Sequence, residues 1–176
     1  FDGRDAQLAG APHNDAAGRF GVYWHRQGQQ LAAVWGSSQI DGQAFYEMPR
    51  QRGRPVLSEP YVDGDTGVLL ASLSAPIRVN GRVAAVAGCD IALTQLRRWV
   101  DAINQRGEGW LSVYSEQGRL LAGGDAQALG RVDAALDAPS LMRLRQGVAL
   151  DWVDAEDMRH FVEPLRVAGV DGGWVA

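Results

Sequence analysis

The chain has 176 residues, of which 46% are hydrophobic and 22% are charged, and its formal net charge is −4 at pH 7. This composition is that of a globular protein, with room for one large domain or two small ones. The negative net charge argues against a nucleic-acid-binding surface, and the single cysteine, Cys89, excludes an internal disulfide and a cysteine-based metal site.

The sequence of the N-terminal third of the chain predicts a loop, a hairpin and a short connecting element. Residues 1–18 are rich in Gly, Ala, Asp and Asn without a clear period, which favours a loop. The aromatic and β-branched segment 20–26 and the segment 31–35 predict two strands joined by a turn. Residues 41–52 are mixed and predict a loop or a short helix that carries aromatic side chains.

A second hairpin and a helix are predicted next. Residues 68–79 and 82–91 read as strands around Asn80-Gly81, a strong signal for a two-residue hairpin turn. Residues 92–105 then have helical spacing, with one apolar face formed by Leu93, Leu96, Val100 and Ile103. Either Asp90 or Thr94 could cap the start of this helix.

The second half of the chain repeats this plan. Residues 110–123 predict another strand, turn and strand, and residues 133–146 predict a helix. Two pairs of landmarks recur at nearly the same offset, since Gly28 and Gly118 are 90 residues apart and Pro76 and Pro164 are 88 apart. Two landmarks in register predict an internal repeat of two α+β modules.

No catalytic or metal-binding signature occurs in the sequence. There is no Gly-rich phosphate loop, no Gly-x-Ser-x-Gly and no His-Glu-x-x-His. The three histidines lack metal-ligand spacing, and the segment 63–67, "DGDTG", lacks the later acidic ligand of a calcium loop. We therefore expect a protein that is not an enzyme and has no cofactor and no metal.

The run from residue 59 to residue 96 resembles the first module of double Cache sensor domains, the extracytoplasmic ligand-binding parts of bacterial chemoreceptors, histidine kinases and diguanylate cyclases. The pattern consists of a Pro-Tyr, a small-residue strand ending in Pro-Ile, a Gly turn and a Gly-x-Asp strand end. It is carried here by Pro60-Tyr61, Pro76-Ile77, Gly81 and Gly88-Cys89-Asp90.

The resemblance implies an α+β fold of two tandem PAS-like Cache modules, each an antiparallel sheet with helical cover, normally joined by a long N-terminal helix. Residues 1–100 would form the membrane-distal, ligand-binding module and residues 106–176 the membrane-proximal one. Such domains are flanked by two transmembrane helices that this sequence lacks. We expect a periplasmic fragment of an inner-membrane receptor that is a homodimer at full length.

The resemblance also implies a ligand site. In the amino-acid-binding branch of the family, a tyrosine and an aspartate at the positions of Tyr61 and Asp90 hold the ligand ammonium group. The ligand carboxylate is held there by an Arg-x-Trp-Tyr element, which corresponds here to residues 43–46, with Gln43 in place of the arginine. Because a buried carboxylate without a cationic partner is disfavoured, an ordinary α-amino acid is not the expected ligand.

Two kinds of nitrogenous ligand fit the residues that remain. A purine, which the sequence slightly favours, could stack on aromatic faces and donate to Asp90. An amine or polyamine would use cation–π contact and Asp90, with Asp63 as a second carboxylate. The predicted ligand-binding residues are Trp24, Gln43, Phe45, Tyr46, Tyr61, Asp63, Ser72 and Asp90.

Structural alternatives stay open for these side chains. Asp90 could serve only as a helix cap, Tyr61 could pack with its hydroxyl bonded to backbone, and Phe45 and Tyr46 could be core residues. Ser72 could belong to a small-residue strand packed under a helix. The domain could also bind a protein partner instead of a small molecule.

Overall fold

A computed structural model describes the chain over residues 19–35, 40–64, 66–107 and 109–176. The chain divides into two compact units: the first from Phe1–Arg54 and Ser74–Gly88, the second from Pro55–Leu73 and Cys89–Ala176. This division does not test the module boundaries 1–100 and 106–176, which stay predictions. Within the parts of the chain that the structure describes, none of the helices has the length and apolarity that crossing a membrane requires.

The first unit contains the predicted N-terminal hairpin. Strand β1 (Val22–Gln27) pairs antiparallel with β2 (Gln30–Trp35) around Gly28, which has a φ of 62°. Residues 41–52 resolve into helix α1 (Ala44–Arg52), which ends where Gly53 adopts a left-handed conformation and donates its backbone N–H to the Pro49 carbonyl. Glycine is suited to this position because it has no Cβ to oppose a positive φ.

The second predicted hairpin is confirmed, and it supplies the long strands of the fold. Strand β5 (Leu69–Val79) pairs with β6 (Arg82–Ala92), and the turn residues Asn80 and Gly81 have φ angles of 50° and 79°. Two positive φ angles are what a tight turn between right-twisted strands requires. Two short strands, β3 (Val56–Leu57) and β4 (Tyr61–Val62), also pair with β5.

The rest of the second unit is built around a four-stranded antiparallel sheet, in the order β11-β12-β7-β8, with a separate hairpin of β9 and β10. A short 3₁₀ helix occupies Ala126–Ala128. The elements are α2 (Leu93–Asn104), β7 (Val113–Ser115), β8 (Leu120–Ala122), α3 (Ala138–Arg145), β9 (Leu150–Val153), β10 (Arg159–Val162), β11 (Pro164–Leu165) and β12 (Trp174–Val175).

The sheet of the second unit has apolar packing on both faces. Successive strand residues point to opposite faces, so Trp174 packs against one hydrophobic cluster and Val175 belongs to another. The first cluster contains residues of β5, α2, β7 and β8, namely Ala71, Leu93, Val100, Val113, Leu121 and Ala122. The second contains residues before and within α3 and from β9, β10 and β12, namely Leu136, Leu141, Leu144, Leu150, Val162 and Val175.

Two details of the helix predictions need correction. Ile103 was placed on the apolar face of α2 with Leu93, Leu96 and Val100, but it is 46% exposed. The half-buried Asn104 lies at the end of this helix instead, where its side-chain amide exchanges two hydrogen bonds with the backbone of Leu111. The helix predicted over residues 133–146 is confirmed only as α3, because Asp137 caps its start by accepting the backbone N–H of Ser140 at 2.9 Å.

The class predicted from the sequence, α+β with antiparallel sheets, is confirmed. The turn glycines of the proposed repeat behave alike, since Gly28 and Gly118 both have positive φ, at 62° and 75°. The tandem arrangement of two modules and the long N-terminal helix stay predictions.

Candidate functional site

Three of the predicted ligand-binding residues form one hydrogen-bonded chain in the second unit. Tyr61 lies in β4, Ser72 in β5 and Asp90 in β6, so the pairing of β5 with both neighbours brings the three together. The Tyr61 hydroxyl lies 2.7 Å from the Ser72 hydroxyl, and the latter donates to Oδ1 of Asp90 at 2.5 Å. We call Tyr61, Ser72 and Asp90 the hydroxyl–carboxylate chain.

The direction of the protons in this chain follows from chemistry. An ionised carboxylate can only accept hydrogen bonds, so the Ser72 hydroxyl directs its one hydrogen toward Asp90. The bond between the two hydroxyls must then run from Tyr61 to Ser72. With its proton directed toward Ser72, the Tyr61 hydroxyl can act only as an acceptor toward any other group, and the same holds for the Asp90 carboxylate. Both are acceptors, so the chain favours a ligand that donates N–H groups.

Asp90 does not cap helix α2. Strand β6 continues to Ala92, which is the N-terminal cap residue of the helix and makes no side-chain capping bond. Neither Asp90 nor Thr94 therefore has the capping role that the sequence left open. Asp90 is exposed, and within the described stretches its carboxylate has no cationic partner within 4 Å. It is a solvent-facing negative charge held in place by one serine.

Ser72 is held by its backbone as well as by its side chain. It is 1% exposed, its N–H donates to the Ser58 hydroxyl at 2.9 Å, and its carbonyl accepts the Ser58 N–H at the same distance. Ser58 in turn donates its hydroxyl to the Glu59 carbonyl at 2.9 Å. The middle of the hydroxyl–carboxylate chain is thus fixed by a buried network, while its Asp90 end is open to solvent.

Asp63, the predicted second carboxylate, closes its own turn. Its Oδ2 accepts the backbone N–H of Thr66 at 3.0 Å and the Thr66 hydroxyl at 2.5 Å, and its carbonyl accepts the Gly67 N–H. This is the usual role of aspartate at the first position of a turn. A ligand contact by Asp63 stays a prediction. In the part of the chain that the structure covers, no three His, Cys, Asp or Glu side chains converge as metal ligands.

The other four predicted residues lie in the first unit. Trp24 on β1 is 60% exposed, and Gln43 is the N-terminal cap residue of α1, where it makes no side-chain capping bond. Phe45 is half-buried and Tyr46 is 9% exposed. No ligand role of these four residues is tested by their positions, and each stays a prediction.

Two arginines that the sequence did not single out approach the ring of Tyr46. The guanidinium carbon of Arg50 lies 4.8 Å from the ring centroid and that of Arg19 lies 5.9 Å from it. Arg50 pairs with Glu47 at 3.6 Å, and Arg19 forms a two-pronged ion pair with Asp41. The spacing of Tyr46 and Arg50, four residues apart on one helix, could have revealed the first contact. Tyr46 is therefore engaged with cations of its own unit.

Glu59 is a further residue that the sequence did not single out. Its carboxylate accepts the Ser115 hydroxyl at 2.6 Å through Oε2 and the backbone N–H of Gln117 at 3.2 Å through Oε1. Burial raises the pKa of the Glu59 carboxyl, and these two hydrogen bonds together with the nearby charge of Arg119 oppose that rise. The partners lie 56 and 58 positions along the chain, so no local sequence pattern indicates the contact.

The hydroxyl–carboxylate chain lies within the stretch that matches a known family. Residues 5–98, more than half of the 176-residue chain, match the family model for the methyl-accepting chemotaxis protein-like, first PDC sensor domain. The chain belongs to this sensor-domain family. The family is one of non-enzymatic ligand-binding sensor modules. That this chain is itself not an enzyme stays a prediction. The narrower assignment to double Cache domains stays a prediction.

One curated relative is similar over nearly the whole chain. Methyl-accepting chemotaxis protein TlpQ of Pseudomonas aeruginosa is 29% identical to this sensor domain over 191 aligned positions, which cover 94% of this chain and 26% of TlpQ. The chain spans 13% and 26% of the lengths of the curated relatives it matches. The sensor domain thus corresponds to a part of a much larger receptor in those proteins.

Solved structures share the fold at low sequence identity. The extracellular domain of the histidine kinase candidate mmHK1S-Z3 is 24% identical, with a TM-score of 0.75 over 99% of this chain and 67% of that one. The ligand-binding domain of the P. aeruginosa chemoreceptor PctC, in complex with GABA, is 21% identical, with a TM-score of 0.54 over 88% and 70%. That of the Pseudomonas fluorescens chemoreceptor CtaA, in complex with L-leucine, is 18% identical, with a TM-score of 0.54 over 83% and 63%.

Proposed function

We propose that this sensor domain is the extracytoplasmic ligand-binding part of a transmembrane chemoreceptor and that it binds a small nitrogenous ligand at Asp90. One observation carries the proposal: the hydroxyl–carboxylate chain ends in an exposed carboxylate with no cation beside it in the described residues. The family assignment supports the receptor role. The ligand identity is inferred from the chemistry of the chain.

An ammonium group suits this site better than a purine. An ammonium nitrogen has three N–H donors and a positive charge, whereas Tyr61 and Asp90 present acceptors and a negative charge. GABA and L-leucine, which are bound by PctC and CtaA, each carry such a group. The purine favoured by the sequence carries no positive charge to pair with Asp90 and would need an aromatic face beside that carboxylate. We therefore propose an amine or polyamine ligand.

Signalling would follow from a population shift. Ligand that pairs with Asp90 would stabilise one conformation of the receptor over another, and the difference in affinity for the two states would set the size of the response. In the full-length receptor, which we propose to be a homodimer in the inner membrane, flanking transmembrane helices would carry this shift to an output domain.

The first experiment is a binding screen with Asp90→Ala as the test variant. Thermal shift and calorimetry use putrescine, spermidine, GABA, L-leucine and adenine as probes. A ligand that binds only the native state stabilises it by about 2.7 kcal/mol at a concentration of 100 times Kd. We expect the amines to raise the Tm of the wild type. Asp90→Ala should lower the affinity for these amines at least about tenfold, since it removes a charge-assisted hydrogen bond.

Asp101→Ala is the matched control, because it removes a carboxylate that pairs with Arg97 at 3.5 Å on the surface of α2. We expect this variant to bind the probes as the wild type does. Amine binding that survives Asp90→Ala would refute the site. A Tm shift with adenine that is lost in Asp90→Ala would support the site but make a purine the ligand. No Tm shift with any probe would favour a protein partner.

A further inference from the structure

Glu59 connects the hydroxyl–carboxylate chain to a distant hairpin of the same unit. It lies one residue after Ser58, which is bonded to Ser72, and two residues before Tyr61. Its carboxylate reaches Ser115 at the end of β7 and Gln117 in the turn between β7 and β8. A single side chain therefore joins the ligand-facing strands to the sheet that β7 and β8 share with β12.

We propose that Glu59 is a positioning residue that couples ligand occupancy at Asp90 to the conformation of the β7–β8 turn. This inference rests on the proposed function, and it names the route by which that function would act. The route runs from Asp90 through Ser72 and Ser58 to Glu59, and from Glu59 to the β7–β8 turn.

The backbone on the ligand side of the route has little conformational freedom. Glu59 precedes Pro60, and a residue before proline is restricted to extended backbone conformations, while proline itself has a fixed φ. The tripeptide from Glu59 to Tyr61 is therefore stiff, so a displacement of Tyr61 by ligand moves the backbone of Glu59. The second connection, through Ser58 and Ser72, consists of three hydrogen bonds of 2.9 Å, of which one is from Ser58 to the carbonyl of Glu59 itself.

The hairpin side of the route depends on the proton of Ser115. Its hydroxyl donates to Glu59, and its oxygen accepts the backbone N–H groups of Gln117 at 3.3 Å and Arg119 at 3.1 Å. Because Ser115 is 1% exposed, no solvent molecule readily replaces these partners. Glu59 thus fixes the orientation of the hydroxyl that closes the turn. Ser115 also lies opposite Trp174 in the register of β7 and β12, so the turn is continuous with the C-terminal strand.

The site requires a carboxylate, and not merely a polar side chain. Glu59 accepts from a different donor through each of its oxygens, whereas a glutamine would set its NH₂ group against one of them. The carboxylate is held without an ion pair within 4 Å in the described residues, since Arg119 donates to the Gly130 carbonyl at 2.9 Å. Desolvating an unpaired carboxylate is costly, and such groups often mark a functional role.

The test follows the Gln117 backbone amide by ¹H–¹⁵N NMR, since this N–H donates to Glu59. In the wild type, saturating putrescine should shift the Gln117 resonance, and Glu59→Gln should abolish that shift. By the reciprocity of coupled sites, the same variant should also change putrescine affinity by roughly a few fold. Glu163→Gln, which replaces an exposed glutamate elsewhere in the unit, is the matched control and should respond as the wild type does.

A second arm needs no ligand. Ser72→Ala removes the hydroxyl between Tyr61 and Asp90, and we expect it to move the Gln117 resonance and the midpoint of its pH titration. Glu59→Gln should eliminate that titration, which identifies Glu59 as the titrating group. A purely structural role of Glu59 in packing would leave the midpoint unchanged in Ser72→Ala.

The two arms separate this inference from the proposed function. If putrescine binds but neither putrescine nor Ser72→Ala moves the Gln117 resonance, the coupling is wrong and the sensor site stands. If Ser72→Ala moves the resonance but no amine binds at Asp90, the coupling stands and the proposed ligand class is wrong.

Discussion

At the scale of single residues, the carboxyl group of Glu59 makes stability depend on pH. Burial raises its pKa above the ordinary value of 4.5. The folded state therefore binds the proton more tightly than the unfolded state does. This contribution to stability is fully present below pH 4.5 and is lost as the pH rises through the raised pKa of the folded state.

We therefore expect the free energy of unfolding of the wild type, relative to that of Glu59→Gln, to decrease as the pH rises from 4.5. Denaturant titrations of both proteins over a series of pH values measure this difference, in which groups common to both cancel. A difference that increases with pH would mean that the hydrogen bonds from Ser115 and Gln117 outweigh burial.

The candidate site shows how much single residues reveal in a sequence. Tyr61 and Asp90 were predicted as a pair from a family pattern, and the structure brings them to the same serine. Ser72 was predicted only as a possible lining residue, because strand periodicity does not give the partner of a side chain. Glu59 was missed because its contacts are made by apposition of segments more than fifty positions apart.

At the scale of elements, the connection between β11 and β12 contains three glycines, two of which have similar positive φ angles but different surroundings. Gly169 and Gly172 have φ angles of 78° and 85°. A Cβ on Gly169 would meet nothing within 4 Å, whereas a Cβ on Gly172 would lie 2.7 Å from the carbonyl oxygen of Leu57. The strain of positive φ is common to both, and only Gly172 adds a backbone collision.

We expect Gly169→Ala to destabilise the fold by about 1 kcal/mol, the cost of a left-handed alanine. Gly172→Ala should cost more, by at least about 1 kcal/mol, because backbone must move to relieve the contact. Urea titrations of the two variants measure both values. Equal decreases in the free energy of unfolding for the two variants would show that the backbone near Gly172 can move without an energetic penalty. The close approach to β3 would then not constrain the connection.

Element boundaries followed local signals where those signals were strong. The turns at Gly28 and Asn80-Gly81 were predicted, since a positive φ is a property of the turn residues themselves. The start of α2 was predicted to within one residue, but its cap was not, because strand β6 continues through Asp90 to Ala92 and Ala92 makes no side-chain capping bond. Hydrogen bonding to β5 in the sheet holds these residues in the strand, and this is a tertiary effect that a capping signal does not show.

At the scale of the whole molecule, the clusters on the two faces of the β11-β12-β7-β8 sheet hold the second unit together. Leu93 is 1% exposed and belongs to the cluster that includes Ala71 of β5. Deleting most of a buried leucine side chain costs about 2–5 kcal/mol through lost burial and the cavity left behind. We expect that loss for Leu93→Ala in the free energy of unfolding, measured by denaturant titration.

Met142→Ala is the control, since Met142 is 59% exposed on α3, and it should change the unfolding free energy by less than about 0.5 kcal/mol. Similar losses for the two variants would contradict the assignment of the core. A large loss confined to Leu93→Ala would place α2 in the cooperative unit that contains the hydroxyl–carboxylate chain.

The sequence by itself determined the α+β class, the two hairpins and helices α2 and α3, and it predicted Tyr61 and Asp90 together as a site. These depend on side-chain periodicity, on turn residues with a required backbone conformation, and on a motif whose members lie on neighbouring strands. Only the tertiary structure decided that Ser72 donates a hydrogen bond to Asp90, that Asp90 does not cap α2, and that Glu59 accepts a hydrogen bond from Ser115. The physical reason is that a hydrogen bond depends on where two groups meet and on which of them holds the proton, and packing of distant segments sets both.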